Sequence, residues 1–219
     1  MKTTLEIEIN LSSRKFFFPE ERIKTKLQVI EILLEACRYI LYSEKNKKVK
    51  SQHKIIIQKD KMSRLFFIGD GKMYSILFPF NVYDDGGFTI NYKNLIDIDS
   101  LTISNLLSII KNPTMLSENC LDFIDPIVEF EEKQQINCWA LLKDLLFSED
   151  GYIRYDKDEK GFLEAKKRNL EHRHPIHHLD IFYTNQVTFK IGLEKGILDN
   201  ELINILDRNT NCIYLIDPR

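Results

Sequence analysis

HHLDIFYTNQVTFKIG, residues 177–192, reads as two strands joined by the short polar connector Thr184-Asn185-Gln186, a β-hairpin. Side chains alternate faces along a strand. His177, Leu179, Ile181 and Tyr183 therefore share one face, and His178, Asp180 and Phe182 the other. With Val187, Phe189 and Ile191 turned to the core, Thr188 and Lys190 point the same way as His178 and Asp180. The expected product is a His/Asp/Lys patch on one face of the hairpin. Upstream, GYIRYD (151–156) is a further strand in which Arg154 and Asp156 alternate with Tyr155, and one of those two sets joins the patch if that strand pairs nearby.

Working outward, residues 199–208 form a helix with Leu202, Ile205 and Leu206 inward, and CIYLI (212–216) a short closing strand. Residues 133–147 form another helix, with Ile136, Trp139, Ala140 and Leu142 to Leu146 as apolar contacts, and 114–132 are irregular and acidic. Residues 99–111 are helical, capped by Asp99 or Ser100, with Ile103, Leu106, Leu107 and Ile110 on one face. A strand block precedes them: 54–59, 64–68, 73–80 and 88–92, β-branched and aromatic. Asp70-Gly71 marks a type I′ hairpin turn, and Asp84 to Gly87 a second turn. Near the N-terminus, residues 4–10 alternate as a strand. Ile23, Leu27, Ile30, Leu34, Cys37 and Leu41 recur at helical spacing, with Pro19 near the helix start and an end near Ser43. Strands in runs without a strict βαβ rhythm give an α+β class: antiparallel sheet with packed helices, ending in a β-hairpin, a helix and a short strand.

With 8 Gly and 6 Pro there is little linker composition, so residues 1–219 read as a single α+β domain, with two lobes, 1–112 and 113–219, as the alternative division. The net charge of -2 removes any global signature of a nucleic-acid binder and leaves local basic patches such as Lys45, Lys47, Lys48, Lys50 and Lys54. No apolar run is long enough to span a membrane, and the charged, alternating start MKTTLEIEIN is unlike a signal peptide. The expectation is a cytoplasmic protein with no membrane partner. Cys37, Cys120, Cys138 and Cys212 lie among apolar neighbours without a CxxC pair and read as reduced core thiols. The abundance of Lys, Asn and Ile fits an AT-rich bacterial genome.

Four of the five histidines, His172, His174, His177 and His178, fall within EHRHPIHH (171–178), and Asp180 follows. Imidazole titrates near neutrality and ligates metals. Pro175 favours an extended path at His174. His178, Asp180, Lys190, Asp156 and Arg154 are the candidate catalytic residues: His178 as base or ligand, Asp180 to orient or ligate, Lys190 to stabilise charge. Tyr155, His174, His177 and Arg173 are candidate substrate contacts, with Lys166, Lys167 and Arg168 adding positive charge beside the histidines. Three readings stay open: structural or interface histidines, acid–base chemistry on a phosphate group without metal, and a divalent metal held by histidine and carboxylate. No C-x-x-C or H-E-x-x-H spacing supports zinc. Gly69-Asp70-Gly71-Lys72 lacks the frame of a phosphate loop.

The order Arg154-Tyr155-Asp156, then His174-Pro175, His177, His178 and Leu179, resembles two groups of small bacterial proteins. One is an uncharacterised family with a Tyr/Phe-Asp-Tyr-Asp strand followed by His-Pro-x-x-His-Leu. The other is a class of toxins from toxin–antitoxin pairs with an Arg-Tyr-Asp strand and a His-x-His stretch. The likeness covers about 40 residues in the last third of the chain. A longer insertion, DKDEKGFLEAKKRNLEHR (156–173), separates its two parts here. The resemblance implies a toxin or anti-phage defence effector acting on RNA or a nucleotide. The alternative is a non-catalytic subunit of such a complex, with a protein partner from the same operon. It supplies no reaction.

Overall fold

The computed structural model describes residues 3–43, 51–116, 128, 138–181 and 189–212. In chain order the described elements begin with β1 (Thr3–Glu8), α1 (Arg14–Phe17), α2 (Lys26–Tyr42), β2 (Lys54–Lys59), β3 (Ser63–Gly69) and β4 (Lys72–Leu77). β5 (Asn81–Asp84), β6 (Phe88–Tyr92), β7 (Ile96–Asp97), α3 (Ser100–Ile110) and α4 (Cys138–Phe147) follow. The last group is β8 (Ile153–Lys157), α5 (Glu159–Lys166), β9 (His177–Ile181), β10 (Phe189–Leu193) and α6 (Asp199–Leu206). Single 3-10 turns lie at Pro113–Leu116 and Glu171–Arg173. The class is α+β with antiparallel sheets. The chain divides into two compact units, one of Met1–Leu11, Lys50–Phe78 and Gly151–Arg219, the other of Ser12–Val49 and Pro79–Asp150.

The first unit is built on a seven-stranded sheet in the order β1-β2-β3-β4-β8-β9-β10, every neighbouring pair antiparallel. One face of it carries an apolar cluster at its centre. Ile56, Phe66, Ile68, Met73, Tyr155 and Leu179 form a continuous cluster on which Leu202 of α6 sits, fully buried. Truncating Leu202 to alanine is expected to cost about 2–5 kcal/mol, read by chemical denaturation. A loss under about 1 kcal/mol would mean that α6 does not seal this face. The opposite face changes character along the sheet. One row of cross-strand partners runs Ile7, Ile55, Phe67, Tyr74, Arg154, Asp180, Lys190 from edge to edge. The row beside it runs Gly69, Lys72, Asp156, His178, Gly192. The apolar members of β1–β3 and the ring of Tyr74, stacked on Phe67 at 4.5 Å between centroids, give way at β8 to charge.

The second unit is organised around α2. Ile30, Leu34, Cys37 and Ile40 are buried along it, and it packs against α3, α4 and β6. Leu141, Leu142 and Leu145 of α4 and Leu106 of α3 are buried as well. β5, β6 and β7 form a separate three-stranded antiparallel sheet.

Several local expectations are corrected. α2 begins at Lys26, not near Pro19: Thr25 accepts from the Gln28 N–H at 3.2 Å, and the Gln28 side chain accepts from the Thr25 N–H at 3.1 Å, a capping box that sets the first turn. α1 has no counterpart in the sequence reading. The run 73–80 is not one strand. β4 stops at Leu77, because Pro79 has no N–H to continue the ladder, and β5 belongs to the other sheet. Of Asp70 and Gly71 only Gly71 has positive φ, 68°, so the β3–β4 turn is not type I′. Cys212 is exposed rather than core, while Cys37 is buried and its thiol pKa is raised by that burial. Phe189 shares the sheet face of Ile191 as expected, but at the start of β10 it is 54% exposed rather than buried. Asp99 caps α3 as expected, accepting from Thr102 N–H at 2.7 Å. The lysine run 45–50, the acidic segment from 117 to 137 other than Val128, the hairpin connector 182–188 and the closing strand after Cys212 lie outside the described residues. Among the described residues no helix is long and apolar enough to cross a membrane.

Candidate functional site

The hairpin alternation puts His178 and Asp180 of β9 and Lys190 of β10 on the polar face, as the period-two reading requires. Between the two parts of the Arg-Tyr-Asp and His-Pro pattern, the insertion folds into α5 and the second 3-10 turn. That excursion lets β8 pair directly with β9. The register sets Arg154 opposite Asp180 and Asp156 opposite His178. Arg154 and Asp156 are therefore the set that joins the patch.

The cluster is densely bonded. The Arg154 guanidinium donates from Nε to Asp156 Oδ2 at 2.6 Å and from Nη2 to Asp180 Oδ2 at 2.6 Å, bridging two carboxylates from adjacent strands. Burial alone would lower the Arg154 pKa, but Tyr152, Asp156 and Asp180 outweigh it and raise it. His178 and Asp180 are each 1% exposed. The Pro175 carbonyl, which can only accept, lies 2.9 Å from His178 Nδ1. Nδ1 therefore carries the proton and Nε2 presents its lone pair to the cluster. Gly192, the cross-strand partner of His178, leaves room for this arrangement: a Cβ there would meet Pro175 Cγ at 3.0 Å. Burial and the Lys190 charge, outweighing the Pro175 bond and the two aspartates, lower the His178 pKa and keep the ring neutral.

Lys190 closes the cluster on its half-buried side. Its ammonium lies 3.3 Å from His178 Nε2, 3.2 Å from His174 Nδ1 and 3.7 Å from Asp180 Oδ1. His174 is held in turn by Asp158, whose Oδ2 accepts from Nε2 at 2.7 Å. Asp158 also accepts from the Gly161 N–H as the cap of α5. Burial would raise the Asp158 pKa, but Gly161 and His174 outweigh it and lower it. Lys72, opposite Asp156 on β4, is pushed down by burial and by the Arg154 charge.

The chain matches no family model, no curated protein and no solved structure. What can be said of its chemistry rests on this constellation. Two carboxylates, a guanidinium and an ammonium surround one neutral imidazole nitrogen. Such an arrangement can accept a proton at His178 Nε2 and stabilise negative charge beside Lys190. Asp156, His178 and Asp180 also offer ligand atoms within 4.8 Å of one another.

The remaining expected site residues fall elsewhere. Tyr155 and His177 lie on the opposite, apolar face, where the Tyr155 hydroxyl bonds His177 Nδ1 at 2.9 Å. Arg173 is exposed in the 3-10 turn, as are Lys166, Lys167 and Arg168 around the end of α5. Lys54 pairs with Glu6 at 3.3 Å and Asp199 at 3.0 Å. The sequence reading did not place Asp158 or Lys72 in the site. For Asp158 a usable signal existed: an acidic residue directly before a helix is a cap, and caps hold their carboxylates still.

Proposed function

We propose that the polar end of the seven-stranded sheet is a general acid–base site for a phosphate-containing substrate, RNA or a nucleotide, in a bacterial toxin or anti-phage defence effector. One observation carries the chemical part: the His178 Nε2 lone pair, its tautomer set by Pro175, lies within 3.3 Å of the Lys190 ammonium. The toxin or defence context rests on the Arg154-Tyr155-Asp156 and His174-Pro175 resemblance alone. In this reading His178 Nε2 takes a proton from the attacking hydroxyl or water. Lys190, on a flexible stem and 28% exposed at its side chain, turns to the phosphate and neutralises the charge that develops there. Arg154 is spent on Asp156 and Asp180, so it assembles the site rather than touching substrate. Asp158 fixes His174, whose Nδ1 faces the Lys190 ammonium. The test is turnover of labelled RNA and of nucleotides by wild type and His178→Gln.

A second reading, a non-catalytic subunit of a toxin–antitoxin or defence complex, is favoured by α5. That helix buries none of its residues, and Leu163 on it is 57% exposed. If a partner covers it, a protein encoded beside this chain co-purifies in stoichiometric amount with wild type and is lost with Leu163→Asp. Equal recovery with both chains, or none with either, would sink this reading.

A further inference from the structure

The geometry points to a divalent-metal site at which the Lys190 ammonium holds the place of the cation, and a zinc- or manganese-type ion displaces it onto His178 Nε2, Asp180 Oδ1 and Asp156. Three observations meet here. Asp180 Oδ1 is buried and has no hydrogen-bond partner among the described residues, while its sister oxygen is bonded to Arg154. A buried carboxylate oxygen left in that state is costly, and it faces the cluster, as its 3.7 Å separation from Lys190 Nζ shows. His178 donates through Nδ1 to a backbone carbonyl and offers Nε2, the second-sphere arrangement that orients metal-ligating histidines. The ligand atoms of Asp156, His178 and Asp180 lie within 4.8 Å of one another, each residue buried or half-buried.

Lys190 shows that the spot already holds positive charge, and holds it loosely. Its contacts of 3.2, 3.3 and 3.7 Å are all longer than the roughly 2.7–2.9 Å of a good charge-assisted hydrogen bond. A metal at about 2.0–2.2 Å from nitrogen and oxygen draws the same donors closer than an ammonium does. Imidazole together with carboxylate suits zinc or manganese. An all-oxygen set would suit calcium or magnesium. Arg154 keeps its hold on the two Oδ2 atoms, so the displacement exchanges one cation for another without stripping the carboxylates.

The site is read without any substrate, so this inference and the acid–base reading fail separately. The experiment is equilibrium dialysis of the purified full chain against Zn²⁺, with Ca²⁺ in parallel, for wild type, Lys190→Met, Asp180→Asn and His172→Ala. His172 is exposed and outside the cluster, and reports surface binding. The expected result is one Zn²⁺ per chain in wild type and no stoichiometric Ca²⁺. Lys190→Met should bind Zn²⁺ at least about tenfold tighter, Asp180→Asn at least about tenfold weaker, and His172→Ala unchanged. If Asp180→Asn does not fold, Lys190→Met decides alone, since removing the competing ammonium must raise affinity. Absence of saturable binding in both wild type and Lys190→Met overturns the inference. So does affinity unchanged by Lys190→Met, or binding lost with His172→Ala.

Discussion

Turnover of a phosphate-containing substrate is expected to fall by about 10²–10⁴-fold in His178→Gln, the range a positioned general base supplies, with the fold retained. Glutamine keeps a donor for the Pro175 carbonyl and fills most of the volume, so circular dichroism and the unfolding midpoint at pH 8 should change little. Lys190→Ala should lose about 10²–10³-fold by removing the group that meets developing charge. The pH dependence separates the two. A base works deprotonated, so the rate rises with pH through the His178 pKa and is level above it. Burial and Lys190 lower that pKa from its ordinary 6.5, which places the limb below 6.5. Lys190→Ala removes one of the two lowering influences and should move the limb upward. Stability follows the same sign: a group whose folded pKa is depressed lets the unfolded chain bind more protons, so the His178 contribution is complete above 6.5 and declines as pH falls below it. His178→Gln should flatten that decline. Measurements with a chelator present keep metal out of both profiles. Equal rates for wild type and His178→Gln on every RNA and nucleotide tried would end the acid–base reading.

How much of this was legible differs residue by residue. His178, Asp180 and Lys190 share a face because strand geometry has a period of two, and that is visible in six residues of sequence on either side of the connector. Arg154 and Asp156 were visible as an alternating pair. Which set faced the cluster depends on β8 lying beside β9, and the insertion between the two strands hides that pairing until it is folded into α5. Lys72 meets Asp156 through the β4–β8 register, across more than seventy residues that build the second unit. No local pattern encodes such a register. The start of α2 was present in the sequence as Thr25 and Gln28, a capping box outweighed in the reading by Pro19. The turn at Gly71 shows the limit of dipeptide rules. Asp-Gly states that φ can be positive at both places, and the loop uses it at one.

Arg154→Met is expected to destabilise the protein by about 3–5 kcal/mol, the cost of leaving buried charge without its partner. The side chain is 11% exposed, and its two carboxylate partners are 16% and 2% exposed, so water cannot take over the lost bonds. Lys190 cannot either, since it reaches only Asp180 Oδ1, at 3.7 Å. Methionine replaces much of the apolar stem, which separates charge from packing. If uncompensated charge is the cause, adding Asp180→Asn to Arg154→Met removes one of the two orphaned carboxylates and should recover part of the loss. Asp180→Asn alone should be destabilising, because it leaves Arg154 with one partner. The coupling between the two substitutions, read from urea unfolding of the four chains, should then be of opposite sign to the single losses and on the order of 1–3 kcal/mol. Strict additivity would mean that Arg154 contributes through packing alone. A loss below about 1 kcal/mol for Arg154→Met would mean that Asp156 and Asp180 are hydrated in solution, as surface ion pairs are. In that case the low-polarity surroundings that make His178 a neutral base would be absent as well, because the same three strands provide both.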